Sequence, residues 1–333
     1  MTCVRCDAPV AATDRFCESC GAVLSADRRI AVPGRARTPR ARCADCGNDT
    51  YVDDYCTVCG SRCPEPTRVR ADLDGIVLIT DRGLRHARNE DAAAAGILCP
   101  SAESPLPAMA IAVCDGVSAS ADADTAAVSA STAGVDAMLR ALTASPRTPS
   151  AVLAGLTDAA AAAATAGCKS VDPTVAPSCT YAAAAVVAAG AGVEITVGSV
   201  GDSRVYWLPD SPAQARCLTV DDSVAQALIT AGVPPDSHAV QAGAHTLTRW
   251  LGADAEPSRW SESSVQTITA TDRGMLVLCT DGLWNYLPEA DDIARFCRGQ
   301  DADTAARELV DHALRAGGHD NVTVAVIPIG VRP

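Results

Sequence analysis

Ala110-Ile111-Ala112-Val113-Cys114-Asp115-Gly116-Val117-Ser118 decides how the chain is read. An apolar run of this length reads as a buried strand, and Asp-Gly ends it abruptly. Asp115 then stands at the tip of a rigid element, and Gly116 lets backbone come close to whatever Asp115 binds. Taken alone, Asp-Gly also fits a hairpin turn. Other acidic tips of similar design argue for chemistry instead. Asp202 lies in Gly201-Asp202-Ser203-Arg204, after the strand Val193–Val197. Asp281 follows Gly274–Cys279 in Thr280-Asp281-Gly282-Leu283-Trp284, and Asp320 opens the last strand in His319-Asp320-Asn321-Val322-Thr323.

Upstream, Ile76–Ile79 reads as a strand leading into Asp81-Arg82-Gly83-Leu84-Arg85-His86-Ala87-Arg88-Asn89-Glu90-Asp91. Basic side chains followed by two carboxylates suit a phosphate-and-metal site: guanidinium for phosphate, oxygen for hard cations. The bland alternative is a solvated charged loop. Helices are expected over about 121–142, with Ala127, Ala130, Gly134, Met138 and Ala141 on one face, over 151–167, and over 303–316. Pro146 and Pro149 break the first two apart. A short helix follows Val220-Asp221-Asp222-Ser223. Residues 234–242 read as an irregular surface flap, and 100–107 as a polar loop.

Composition bounds the possibilities. The chain has 333 residues, 48% apolar and 20% charged, which suits about two globular domains. Lys169 is the only lysine, which argues against a Walker-type phosphate loop and a Schiff-base lysine. Residues 1–70 carry 11 basic against 9 acidic side chains, whereas 71–333 carry 16 against 31. So acidic a body disfavours nucleic acid and suits a site for cations. The longest uncharged apolar stretch, 181–193, is short of the ~20 residues that span a membrane. The N-terminus lacks an apolar signal region. A soluble, cytoplasmic chain is expected.

Eight of the sixteen cysteines form four Cys-x-x-Cys pairs: Cys3/Cys6, Cys17/Cys20, Cys43/Cys46 and Cys56/Cys59. Two pairs, ten residues apart, are repeated as two pairs nine apart. Each pair makes a knuckle aiming two thiolates at one ion, and two knuckles complete a closed tetrahedral site. Gly21, Gly47 and Gly60 fit the left-handed residue that closes a knuckle. This predicts two structural Zn2+ ions in a double zinc ribbon over residues 1–66, with Cys63 spare. The Arg-rich stretch 25–42 reads as a solvated linker or basic contact strip, and Pro64-Glu65-Pro66 as the boundary to a second domain, 70–330. The segment resembles the double zinc ribbon of bacterial regulatory proteins, which implies a protein-docking role.

Arg88-Asn89-Glu90-Asp91, Asp115-Gly116, Gly201-Asp202-Ser203-Arg204, Thr280-Asp281-Gly282-Leu283-Trp284 and Asp320-Asn321-Val322-Thr323, in this order, resemble the metal-dependent protein phosphatase 2C family, bacterial branch. The resemblance runs over about 72–329. It implies an α+β fold: a four-layer αββα sandwich of two central antiparallel sheets with helices outside both, here preceded by the ribbons. It implies two Mn2+ or Mg2+ ions. Asp115 would bridge them, Asp281 and Asp320 would hold the first, and Glu90 and the Gly116 carbonyl the second. Asp91 and Asp202 would orient waters and loops. The implied reaction is hydrolysis of phosphoserine or phosphothreonine by hydroxide bridging the ions, on protein substrates of a Ser/Thr kinase. The family's phosphate-gripping arginine falls on His86, so Arg85, His86 or Arg88 takes that role. Val117 stands where some relatives carry a histidine acid, Ser118 follows where a double glycine is usual, and Asp172 is out of register for a third metal. The alternative is a catalytically weak, phosphatase-like scaffold docked through its ribbons.

Overall fold

The computed structural model describes residues 6, 8–9, 17–21, 28–34, 42–43, 45–52, 55–61, 66–99, 108–117, 120, 122–166, 176–211, 214–256 and 260–330. Cys3, Cys63, the boundary residues Pro64 and Glu65, the loop 100–107, Ser118, Asp172 and parts of the 25–42 stretch lie outside them. In chain order come β1 (Arg28–Ala31), β2 (Tyr51–Val52), β3 (Tyr55–Cys56), β4 (Arg68–Leu73), β5 (Ile76–Asp81), β6 (Ala92–Leu98) and β7 (Ala108–Cys114). Helices α1 (Ala123–Ala144) and α2 (Thr148–Ala166) follow, then β8 (Ser178–Cys179), β9 (Tyr181–Ala189), β10 (Gly192–Val200), β11 (Arg204–Pro209) and β12 (Arg216–Cys217). After α3 (Val224–Thr230) and α4 (His238–Ala242) come β13 (Leu251–Gly252), β14 (Val265–Ala270), β15 (Gly274–Cys279), α5 (Asp281–Trp284), α6 (Ala290–Cys297), α7 (Ala302–Ala316) and β16 (Val322–Ile329).

Two six-stranded antiparallel sheets form the centre, ordered β1-β6-β7-β9-β10-β14 and β12-β11-β15-β16-β5-β4. Their inner strands are buried on both faces, which is why they read as unbroken apolar runs rather than alternating ones. Successive residues still divide by face. Ala93, Ala95, Ile111 and Val113 meet Leu78, Leu276, Leu278 and Ala325 between the sheets. Ala94, Ala110 and Ala112 face α1 and α2, and Val77, Ile79, Val324 and Val326 face α6 and α7. The layers are therefore helix, sheet, sheet, helix. Alanine-rich helices serve the outer layer because small side chains let helix and sheet approach closely, as with Ala127, Ala130, Ala159 and Ala163.

Three expectations change. The break between the first two helices is shorter than expected: α2 starts at Thr148, with Pro149 in its first turn, where a missing N–H costs nothing. The irregular flap contains α4, capped by Ser237, whose hydroxyl accepts from Val240 N–H at 3.3 Å. The linker between the ribbons is not wholly solvated. Arg28–Ala31 pairs antiparallel with Leu98–Ala95 of β6 as an edge strand. Its arginines reach out to partners, Arg29 to Asp74 and Arg28 to Asp136 at 3.7 Å.

Candidate functional site

One end of the sandwich gathers the C-terminal ends of β5, β7 and β15 and the starts of β6, β9, β11 and β16. A cleft of roughly 650 Å³ opens there, lined among others by Asp115, Gly116, Asp202, Asp281 and Asp320. Asp115 follows β7 directly and is locked by Thr180. Its N–H donates to Thr180 Oγ1 at 2.9 Å, and Thr180 N–H donates to its carbonyl at 2.8 Å. This exchange occupies the backbone of Thr180, the one residue between β8 and β9. Asp281 is the first residue of α5, and Asp320 immediately precedes Asn321 and β16.

Asn321 ties this corner together. Its Oδ1 accepts from Glu90 N–H at 2.7 Å, and its Nδ2 donates to the carbonyls of Arg82 at 2.7 Å and Arg88 at 3.0 Å. A Cβ on Gly83 would overlap the Asp320 carbonyl, and one on Gly282 the Asn321 carbonyl. Glycine at both positions is what lets three segments meet. Beneath them lies a threonine ladder. Thr280 Oγ1 donates to Asp91 Oδ2 at 2.8 Å and accepts from Thr323 N–H at 3.0 Å, while Thr323 Oγ1 donates to Thr80 Oγ1 at 2.7 Å.

The electrostatics are unfavourable for bare carboxylates. Burial pushes Asp91 up to about 8 and, with the Asp281 charge nearby, Asp202 up to about 7. Asp115 is raised well above the ordinary range by burial and by Asp91, Asp281, Asp202 and Asp320 together. Burial and Asp320 raise Asp281. So many acids cannot ionise side by side without compensating positive charge. Asp91 Oδ1 and Asp281 Oδ1 are buried without a hydrogen-bond partner. An all-oxygen donor set with orphaned oxygens fits hard cations such as Mn2+ or Mg2+.

The other expected residues are placed as follows. Glu90 is half-buried beside Gly116, whose added Cβ would meet the Glu90 carbonyl at 2.7 Å. Asp91 is buried under the cleft. His86 Nε2 lies 3.3 Å from Asp320 Oδ1. Arg85 and Arg88 are exposed and do not line the cleft. Its basic lining residues are instead His245 and His319. His245, with Nδ1 3.9 Å from Asp281 Oδ2, was not foreseen. It lies three residues past the stretch read as a flap, and nothing local in sequence marks it.

Apart from the cleft, the Sγ atoms of Cys43, Cys46, Cys56 and Cys59 lie within 4.8 Å of one another, as do those of Cys6, Cys17 and Cys20. Cys43–Cys59 and Cys46–Cys56 are each 3.4 Å apart. That is far beyond the ~2.05 Å of a disulfide and near the ~3.8 Å edge of a tetrathiolate with ~2.3 Å zinc bonds. Gly21, Gly47 and Gly60 all take φ between 70° and 75° and donate back to the carbonyls of Cys17, Cys43 and Cys56. The Cys59 backbone N–H and the Asn48 amide help hold the Cys56 thiol down at about 6. The residues present fit Zn2+. Among the described residues, no helix is long and apolar enough to cross a membrane.

The family model described as protein phosphatase 2C matches residues 255–322. The serine/threonine protein phosphatase PstP of Mycobacterium tuberculosis is 31% identical over 142 residues, 42% of this chain and 26% of that protein. The serine/threonine phosphatase stp of Listeria welshimeri is 31% identical over 145 residues, 43% of this chain and 54% of that protein. The chain thus spans about a quarter and about half of these relatives. Among solved structures, the catalytic domain of PstP in complex with two manganese ions superposes with a TM-score of 0.55 at 24% identity, covering 76% of this chain and 97% of that one. Stp1 of Staphylococcus aureus gives 0.56 at 19%, covering 79% and 96%. The sandwich thus has the fold of the protein phosphatase 2C enzymes, and the family model and the relatives support that family for this chain.

Proposed function

We propose that the chain is a metal-dependent protein-serine/threonine phosphatase that hydrolyses phosphoserine and phosphothreonine in proteins. The observation that carries this reading is the convergence of Asp115, Asp202, Asp281 and Asp320 on one open cleft, with carboxylate oxygens left unpartnered around it. Asp115, Asp281, Asp320, Glu90 and the Gly116 carbonyl would hold two Mn2+ or Mg2+ ions. When bound, these ions would offset the cluster's charge, draw in the phosphate oxygens and activate the attacking water.

The chain's own part is to hold these groups still. Thr180 fixes the backbone of Asp115 from both sides, Thr280 aims Asp91, and Asn321 binds the Glu90 and Asp320 segments into one corner. Phosphate grip falls to Arg85, His86 or Arg88, of which His86 stands 3.3 Å from Asp320. Val117, lining the cleft wall, offers no proton to the leaving group.

The cysteine sets would hold two structural Zn2+ ions, Cys3 completing the first, in an N-terminal module (1–66) ahead of the catalytic domain (70–330), with β1 reaching across. That module suits docking to a protein partner. We place the enzyme in the cytoplasm, opposing a Ser/Thr kinase. Phosphate release from a phosphothreonine peptide should rise with added Mn2+ and vanish in Asp281→Asn. A folded, zinc-loaded wild type that releases none would instead support a phosphatase-like scaffold.

A further inference from the structure

Residues 223–248 leave the sandwich and return, carrying α3 and α4. The excursion closes on itself at its base. Ser223 bridges to Leu247, Val224 N–H donates to Thr246 O at 2.8 Å, and Ala225 N–H donates to Gly243 O at 3.1 Å. It is thinly packed: α3 buries no residue and α4 buries Val240 alone. Such a segment lies at the low-stability end of a structure. Yet its return limb supplies His245 and Leu247 to the wall of the acidic cleft.

The limb is seated on an aromatic surface. The His245 ring lies nearly parallel to the Trp284 indole, at 13° with 6.4 Å between centroids. Trp284 is buried and fixed twice more. Its Nε1–H donates to the Asp202 carbonyl at 2.9 Å, and the Arg204 guanidinium sits 3.8 Å over its ring. Arg204 also grips Asp221 at the foot of the excursion, at 2.7 and 3.0 Å. Asp222 is tied to Gly201, its N–H donating to the carbonyl at 2.8 Å and its Oδ2 accepting from the N–H at 3.1 Å. The outgoing foot is thus held by charge and backbone, and on the return limb, between Gly243 and Thr246 of the same closure, His245 rests on one side chain. That side chain belongs to α5, the helix that Asp281 begins.

We propose that Trp284 is a positioning residue: its indole latches the 223–248 excursion through His245 and so sets the wall against which a phosphorylated peptide lies. The latch stands on the contacts above. What lies against the wall rests on the phosphatase reading. A small phosphate monoester needs only the acidic floor, whereas a peptide must also find the wall in place.

Hydrogen exchange on the full chain tests the latch without reference to activity. His245→Ala removes the stack and leaves both bonds of Trp284 intact. Exchange across 224–248 should then quicken roughly threefold to tenfold, the scale of one aromatic contact. Trp284→Phe keeps a ring under His245 but removes the donor to Asp202. It should leave 224–248 protected and quicken exchange around 201–204. In steady-state assays at saturating Mn2+, the KM of a phosphothreonine peptide should rise in His245→Ala more than that of p-nitrophenyl phosphate, by a similar factor. Unchanged exchange of 224–248 in His245→Ala would overturn the latch, whatever the activity. Quicker exchange with both KM values moving together would overturn the peptide's seat. Absence of turnover by the metal-loaded wild type would overturn the phosphatase reading, and the exchange data would then decide the latch alone.

Discussion

The cysteine clusters and the acidic cleft both gather metal-ligating side chains, and they do so in opposite ways. Cys43, Cys46, Cys56 and Cys59 come from one stretch of 17 residues and close on a single point. The acids come from segments as far apart as Asp115 and Asp320 and surround an open space instead. Among the described residues, only the cysteines reach single-ion spacing. Four filled positions leave no room for a reacting group, whereas an open ring of oxygens does. The charges differ too. Backbone and amide N–H groups hold the Cys56 thiol down, while the neighbouring thiols push that of Cys46 up. In the cleft, burial and mutual repulsion drive the acids towards their neutral form. The cysteines are gathered at one point beforehand, while the cleft acids stand apart and are pushed towards neutrality without a compensating cation.

Asp115→Asn should expose that contrast most strongly. It removes one of the crowded acids, so phosphate release should fall by about 10³-fold, the scale of several kcal/mol of lost charge stabilisation. The metal-free protein should nevertheless melt higher than wild type, because one buried repulsion is gone. Phosphate assays and calorimetry of EDTA-treated samples check both halves. A lower melting temperature would mean that Asp115 is held by partners rather than strained.

The pH dependence of the metal-free protein is the next largest effect. Folded Asp91 and Asp202 sit at about 8 and about 7, against an ordinary 3.8. Between about pH 4 and about pH 8 the folded chain therefore keeps protons that the unfolded chain has released. Stability is full below that window and is lost as pH rises through it. Mn2+ should flatten the profile. Urea melts at about pH 5 and about pH 8, with and without Mn2+, measure it. A metal-free protein that grows more stable with pH would refute the strained cleft.

The sequence reads these two regions with different success, for a physical reason. Knuckle spacing is local, so four thiols and their glycines announce a tetrahedral site before anything is folded. Asp115 and Asp281 were legible because a doubly buried strand shows as an apolar run, and Asp-Gly marks where it stops. Thr80, Thr280 and Thr323 look like ordinary strand residues until the fold stacks them under Asp91. His245 reaches Trp284 across 39 residues of chain. β1 was hidden because its four residues gain a strand only from pairing with β6. Sequence does not choose among Arg85, His86 and Arg88, because the turn after β5 presents them differently: both arginines are exposed and His86 is half-buried.

Cys56→Ser should separate the regions from the other side. One zinc per chain should be lost while the second remains, as native mass spectrometry reads. Mn2+-dependent turnover should fall far less than in Asp115→Asn, since none of the ribbon cysteines lines the cleft. An equal fall would mean that the ribbon and the cleft are coupled, with β1 the evident route.

The smallest effect concerns how the ribbon is prepared. Gly47 holds φ at 73°, donates to the Cys43 carbonyl at 2.8 Å and has nothing within 4 Å of a built Cβ. Gly47→Ala therefore introduces backbone strain without a clash, costing roughly 1–2 kcal/mol. Zinc retention against a competing chelator should weaken about tenfold, the equivalent of ~1.4 kcal/mol. Gly47→Asn should lose less, because asparagine tolerates the left-handed region better than alanine. If asparagine costs more than alanine, bulk rather than backbone conformation limits the knuckle, and the preparation of the thiolates has a different origin.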